Sequence, residues 1–416
     1  MYSPKIVAER EAELSKRTKL EFTRHSIEEI EAWVEHLDIR RQRLADKLKL
    51  KPEEVTLRHL NDEERKFIRN ELLLSSIDFD YWSRRYCFIL QDAAVGGGLH
   101  RLVPWGPQVI LASHIAKLEE DQVPAYARGE AVNGILIALH KARQLGATAY
   151  CRALIIHRLI TQAHILAVTA SVDDDKIIAI QERDERILNN LPWWMQPHLG
   201  YAEKGLHMYF DRLDTKLQYQ TLVQKSGIAQ GEQYVLGHIT EAASDPYSGI
   251  GLKNDYFPVI PQAPWALHVM ETTAQGRNNW WRFFVEETRK GFSRWNLVFI
   301  PWYAEPRKYR LQPPEGWVPS KESMKHAEII WNTSLEYTGK QVLLAKDNLY
   351  WWEFNRADAL RQGSLNIFLT NFCATIEESF QHTTTSVFPP ELLAYYRDGA
   401  TVPQAFEINR AESRTA

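Results

Sequence analysis

Apolar residues along this chain fall into two regimes that meet near residue 84. In residues 1–75 they recur at helical spacing among dense charge. Ser26 followed by Glu29 forms a capping-box pattern ahead of an amphipathic run over 30–50, and Asn61-Asp62 precedes a second run over 64–74. An N-terminal helical appendage over 1–75 is expected. Past residue 84, short and almost wholly apolar runs occur at 134–140, 164–169, 207–210, 234–239, 266–270 and 296–300. Longer helical patterns at 148–162 and 174–188 separate the early ones. Runs that are apolar on both faces and alternate with helices predict an α/β fold, with a mainly parallel sheet covered by helices on both faces. This main domain is expected over 76–390, with its late part, 320–390, as a helical lid or linker subdomain. Beyond Pro389-Pro390 the chain turns polar, as expected of a linker or tail over 391–416.

Composition narrows the function. The 416 residues carry 50 Lys+Arg against 53 Asp+Glu, a formal charge of -3, which excludes a protein that coats nucleic acid by global basicity but leaves room for a local basic channel. At 44% hydrophobic residues there is ample material for a core. Cys87, Cys151 and Cys373 lie far apart, which points to a reducing compartment rather than a disulfide framework. The apolar runs are too short and too soon interrupted by Lys141, Arg152 or His157 to span a membrane. The paired tryptophans 193–194, 280–281 and 351–352 are expected to anchor packing rather than to stack on bases.

Three segments carry candidate chemistry. Residues 134–152 read as strand, tight loop and helix, a bend that aims backbone N–H groups and a helix N-terminus at an anion. Against the phosphate-loop pattern GxxxxGK followed by Ser or Thr, Lys141 takes the first glycine position, Gly146 the second, Ala147 the lysine position and Thr148 the hydroxyl position. The usual lysine is missing, yet Lys141 and Arg143 offer positive charge from the front of the loop, and Thr148 keeps a hydroxyl suited to Mg²⁺. Read alone, the segment fits a basic loop of an α/β fold equally well. In the second segment an apolar strand ends at Thr240-Glu241, placing a carboxylate at the sheet edge where open α/β sheets bind ligands and where it can deprotonate a water. In the third, a strand runs into Thr272, Thr273, Gln275 and Gly276, which suits either phosphate sensing or an ordinary turn with Gly276 at positive φ. Asp173-Asp174-Asp175 is expected to cap the next helix rather than to bind metal.

In order, Lys141-Ala-Arg-Gln-Leu-Gly-Ala-Thr, His238-Ile-Thr-Glu-Ala-Ala, Glu271-Thr-Thr-Ala-Gln-Gly-Arg and Phe299-Ile-Pro-Trp-Tyr resemble the large terminase subunit of tailed bacteriophages, across about residues 84–385. That family is the ATP-driven motor that pumps double-stranded DNA into procapsids. Its members carry K-x-R-Q-x-G-x-S/T, a strand ending in S-E or D-E, an S-T-x-x-G coupling segment and a downstream F-x-P-W. The segment Phe372-Cys-Ala-Thr-Ile-Glu-Glu-Ser-Phe is similar to the family's E-Y-P-x-x-x-E-E-A-F, with departures at Asn371 and Cys373. The resemblance implies a P-loop NTPase of RecA/ASCE-like type with ATP and Mg²⁺ as cofactors. Lys141, Ala142, Arg143, Gln144, Gly146, Ala147 and Thr148 would surround the phosphates, and Gln108 would read adenine. Thr148 and Thr240 would stand by the metal, Glu241 would be the catalytic carboxylate, and Thr272, Thr273, Gly276 and Arg277 would couple hydrolysis to movement. It further implies double-stranded DNA, a portal protein and a small terminase subunit as partners, a homo-oligomeric ring, and action in the host cytoplasm.

Three departures stand out. Thr240 replaces the usual Asp or Ser. No arginine lies between Gly227 and Tyr234, leaving Lys225 and Arg277 as stand-ins for a trans-acting finger. The family's nuclease domain is not expected in this chain, since only 26 residues follow Pro390. Another DNA-stimulated ATPase, of helicase or transposition type, and a non-catalytic assembly protein of the same fold are the alternatives.

Overall fold

Residues 3–91, 97–203, 207–222, 232–276 and 279–380 are described by a computed structural model. Lys225, Arg277 and the tail over 391–416 lie outside the described residues. The N-terminal region is helical as expected: α1 (Pro4–Thr18), α2 (Ile27–Leu48), α3 (Asp62–Ile77) and α4 (Phe79–Tyr86). Both caps form. The Ser26 N–H donates to Glu29 at 2.7 Å while the Glu29 N–H donates to Ser26 Oγ at 3.2 Å, and Asn61 and Glu64 exchange the same pair of bonds. The boundary expected at residue 75 falls inside α3. Ile30, Leu37, Phe67 and Leu74 join the same apolar core as the sheet, so these helices are packed onto the main domain.

A short antiparallel pair, β1 (Phe88–Leu90) and β2 (Leu99–Arg101), precedes α5 (Gly106–Ala127). Then follow β3 (Ile135–Lys141), α6 (Ala147–Thr161), β4 (Leu166–Ser171) and α7 (Asp174–Asn189), with Asp173 capping α7 through the Lys176 N–H as expected. Next come β5 (Leu199–Glu203), β6 (His207–Phe210), β7 (Thr215–Thr221), β8 (Leu236–Thr240), β9 (Leu267–Thr272), α8 (Trp280–Arg289) and β10 (Asn296–Ile300). The late part is helical: α9 (Lys321–Thr338), α10 (Lys346–Arg361), α11 (Leu365–Asn371) and α12 (Ile376–Ser379).

Among the described residues, eight strands form one sheet in the order β10-β3-β9-β8-β4-β7-β6-β5. From β10 to β7 every pairing is parallel, and β6 and β5 extend the sheet antiparallel. The central strands β3, β8 and β9 are buried along nearly their whole length, which requires cover on both faces. Strand β7 has the opposite signature: Thr-Lys-Leu-Gln-Tyr-Gln-Thr alternates buried and half-buried positions, a half-covered strand that a search for continuous apolar runs passes over.

The order places the site. From β3 the chain crosses through α6 to β4, leaving two positions that β8 and β9 fill later. After β9 it returns to β10 on the other side of β3. The loops after β3, β8 and β9 therefore open onto one crevice at the carboxyl edge, where the winding direction reverses. The mainly parallel α/β sheet expected from the apolar runs is thus present. Trp82, Trp281 and Trp302 are fully buried, in keeping with packing anchors, and all three cysteines are buried and free. No helix of the described residues is long and apolar enough to cross a membrane.

Gly237, inside β8, leaves room for a buried pair in which the Tyr256 hydroxyl and His268 Nδ1 are hydrogen-bonded; a Cβ there would fall on both groups. Gly237→Ala is expected to cost about 1–3 kcal/mol by overpacking, read as a lower urea midpoint with an unchanged slope.

Candidate active site at the sheet edge

The loop between β3 and α6 is built by its neighbours. The Ala142 N–H donates to Ile300 and the Arg143 N–H to Asn371, each at 2.9 Å. The Tyr309 hydroxyl donates to the Arg143 carbonyl at 3.0 Å, and the Lys308 ammonium to the Gln144 carbonyl at 2.7 Å. The front of the loop is thereby pinned, and the turn from Gln144 into α6 is left to present N–H groups. Gln144 and Gly146 both have left-handed backbones, φ 59° and 69°. A side chain at 146 would press on Gln108 and Trp105, at 3.0 and 3.1 Å, so glycine is what lets the loop pass beneath them. The helix that follows is 15 residues long, with its positive end at the loop.

A cleft of about 490 Å³ lies over this bend. Lys141, Arg143, Gln144 and Thr148 line it from the loop, Thr240 and Glu241 from the end of β8, and Thr272 and Thr273 from the end of β9. Ala142 and Ala147 are buried beneath the loop, and Gly276, buried with φ 93°, turns the chain after β9. Gln108 and Gly146 instead face an adjoining, more apolar cleft of about 670 Å³, together with Trp105 and Lys308. There the Gln108 amide donates to the Gly146 carbonyl at 2.9 Å, tying α5 to the loop.

Three further charged residues line the main cleft that motif reading did not single out: Glu271, Lys176 and Arg183. Lys176 and Arg183 are seven residues apart on α7, two turns on one face, a spacing that could have been read. Glu271 is the one acidic residue of an otherwise apolar or neutral strand, and its signal was that it had no reason to be there. It is 1% exposed. Its Oε1 accepts the Thr148 hydroxyl proton and lies 3.3 Å from His238 Nε2, and its Oε2 lies 3.7 Å from Lys141 Nζ. Burial by itself pushes this carboxyl up, but the Lys141 ammonium and the bonds from His238 and Thr148 outweigh it and hold the group at about 2.

Behind Glu271 stands a buried chain of partners. Asp184 takes two hydrogen bonds from Arg152, at 2.9 and 2.6 Å, and Arg152 also reaches His238 Nδ1 at 3.4 Å. A guanidinium only donates, so Nδ1 accepts and Nε2 carries the proton facing Glu271. Burial lowers the His238 pKa and keeps the ring neutral.

At the end of β8, the Thr240 hydroxyl donates to Ser171 Oγ at 2.8 Å. Glu241 sits in the left-handed region, φ 54°, and pairs with Lys176 at 2.7 Å. Partial burial lowers the Lys176 ammonium, and the carboxylates of Glu241 and Asp173 more than offset it, so the net shift is upward. Thr272 Oγ1 accepts from the Ala243 N–H at 3.2 Å and donates to the Thr273 carbonyl at 2.8 Å. The segment after β9 is thus bonded directly to the turn that carries Glu241. Among the described residues no group of three or more His, Cys, Asp or Glu stands together as a metal cage.

No protein-family model matches the chain, and no curated protein matches it. Among solved structures it is similar to the large terminase of bacteriophage HK97, at 13% identity and a TM-score of 0.46, over 77% of this chain and 58% of that one. It is also similar to the large terminase ATPase domain of Thermus phage P74-26, at 14% identity and a TM-score of 0.32, over 51% of this chain and 89% of that one. The chain therefore spans little more than half of the HK97 protein.

The Glu271–Lys141 pair makes a pH prediction. With a folded value near 2 against an ordinary 4.5, the stabilisation is complete above 4.5 and fades as pH falls towards 2, because the unfolded chain takes up the proton first. Lys141→Met leaves burial dominant and raises the carboxyl. The variant is expected to be less stable than wild type at neutral pH, with the difference shrinking across that acid window in urea unfolding.

Proposed function

We propose that this chain is a Mg²⁺-dependent ATPase of phosphate-loop type whose hydrolysis drives the movement of duplex DNA, as in the large terminase subunits it resembles. One observation carries the reading: Lys141 and Arg143, a hydroxyl at the start of a long helix, a strand-end carboxylate and a polar strand-end segment converge on one cleft at the winding reversal of a parallel sheet. Phosphate chemistry needs those parts together.

In this reading Lys141 and Arg143 take the β- and γ-phosphates, doing from the front of the loop what a lysine at position 147 does elsewhere. The N–H groups entering α6 bind the same anion. Glu241 orients a water and receives its proton. Lys176 now occupies that carboxylate, and the incoming phosphates compete for its ammonium, freeing Glu241 when nucleotide is in place. Thr148, with Thr240 nearby, would hold Mg²⁺, which neutralises charge on the phosphate oxygens. The residues fit that ion: a hydroxyl borders a buried carboxylate oxygen, Glu271 Oε2, that lacks a hydrogen-bond partner. Thr272, bonded to the turn after Glu241, carries the change to the segment following β9. Adenine would lie in the adjoining cleft beside Trp105 and Gln108. DNA would be held through its phosphates, independent of sequence, by subunits in a ring docked on a portal, with a small terminase subunit choosing the start.

A second reading, an assembly protein without turnover, draws on the neutral Thr240 and on the Lys176–Glu241 pair that occupies the catalytic carboxylate. One assay separates them. Wild type is expected to release phosphate from ATP only with Mg²⁺, faster with duplex DNA, and with a stimulation that falls steeply as salt rises. Glu241→Gln is expected to lower the rate about 10²–10⁴-fold while still binding nucleotide. No turnover above background in folded, DNA-containing wild type would support the second reading.

A further inference from the structure

The geometry points to Glu271 as the residue that positions the cation's hydroxyl ligand Thr148, doing from β9 what a carboxylate at position 240 would do from β8. This rests on the phosphate-site reading above and adds a residue to it. The parallel register of the two strands sets Thr240 directly opposite Glu271, so the two side chains leave the same face of the sheet. At position 240 there is no charge, and the hydroxyl proton is spent on Ser171. One strand closer to the loop, Glu271 reaches Thr148 itself. The acidic group has moved one strand sideways.

Burial makes the assignment sharper. A carboxylate at 1% exposure is costly unless its lone pairs are filled. Oε1 is filled by Thr148 and approached by His238, whereas Oε2 has only the Lys141 ammonium at 3.7 Å and no hydrogen bond. Glu271 borders the cleft beside the Thr148 hydroxyl, where a carboxylate orients a hydroxyl ligand as an outer-shell partner does. The Asp184–Arg152–His238 chain packs behind the carboxylate, with His238 Nε2 3.3 Å from its Oε1.

The test measures ADP binding by calorimetry in Mg²⁺ and in EDTA, on the full chain. Wild type is expected to bind ADP more tightly with Mg²⁺. Glu271→Gln is expected to lose about 10–100-fold of that Mg²⁺-dependent gain with no loss of affinity in EDTA, since Lys141 is released to the phosphates, and to lose more of the gain than Thr240→Val does. Adding Thr240→Asp to Glu271→Gln is expected to restore part of the gain, which a purely structural role for Glu271 does not predict. A folded Glu271→Gln chain that keeps the gain, or loses affinity equally in Mg²⁺ and EDTA, overturns the proposal. If Glu271→Gln does not fold, a larger loss in Thr240→Val than in the Glu271→Gln/Thr240→Asp chain overturns it instead. Wild type that binds no ADP in either condition overturns the phosphate-site reading itself, a failure distinct from the others.

Discussion

A carboxylate removed from water must be answered by its neighbours, and the answer given to Glu271 organises this molecule. Lys141 closes β3, Thr148 opens α6, His238 lies within β8 and Glu271 ends β9. These four side chains meet around one buried charge, so the phosphate-type loop, the strand beside it and the strand that leads to Glu241 are bound to a common point. In a low-dielectric interior the attraction between Lys141 and Glu271 is strong, and so is the cost of leaving either alone. The loop's geometry is therefore secured by charge balance as much as by its glycine.

The sheet makes that meeting possible. Crossing from β3 to β4 and returning later to fill the gap brings residues of distant sequence to adjacent strand ends. Thr272 shows the consequence. Its hydroxyl is bonded both to the turn after Glu241 and to its own strand end. The cleft's walls come from strand ends, while Arg143 and Lys176 reach it with exposed or half-exposed side chains.

Under the proposed function the same contacts describe a resting arrangement. Lys176 covers Glu241, Lys141 is drawn to Glu271, and the Thr148 hydroxyl donates a hydrogen bond to that carboxylate. Each of these pairs has a stronger competitor in a triphosphate with its cation, since phosphate oxygens outbid a single carboxylate for an ammonium in charge and in number of acceptors. Glu241's left-handed backbone, unusual for a residue with a side chain, is the kind of strain found where a carboxylate must point into a cleft.

Much of this was legible in the chain itself. The buried strands and the capped helices at Ser26, Asn61 and Asp173 follow from local patterns, because periodicity and capping act within a few residues, while the gathering of Lys141, Arg143, Thr148, Glu241 and Thr272 was implied by the family resemblance. Strand β7 escaped because its alternation differs from that of its fully buried neighbours. The packing of the N-terminal helices onto the core escaped because Leu37 and Phe67 are equally apolar whether they face a separate domain or this one. The place of Glu271 was beyond any local reading. Its meaning depends on register with Thr240, 31 positions earlier, and on contact with Thr148, 123 positions earlier. Which carboxylate stands beside which hydroxyl is set by strand order, a long-range property that no window of sequence contains.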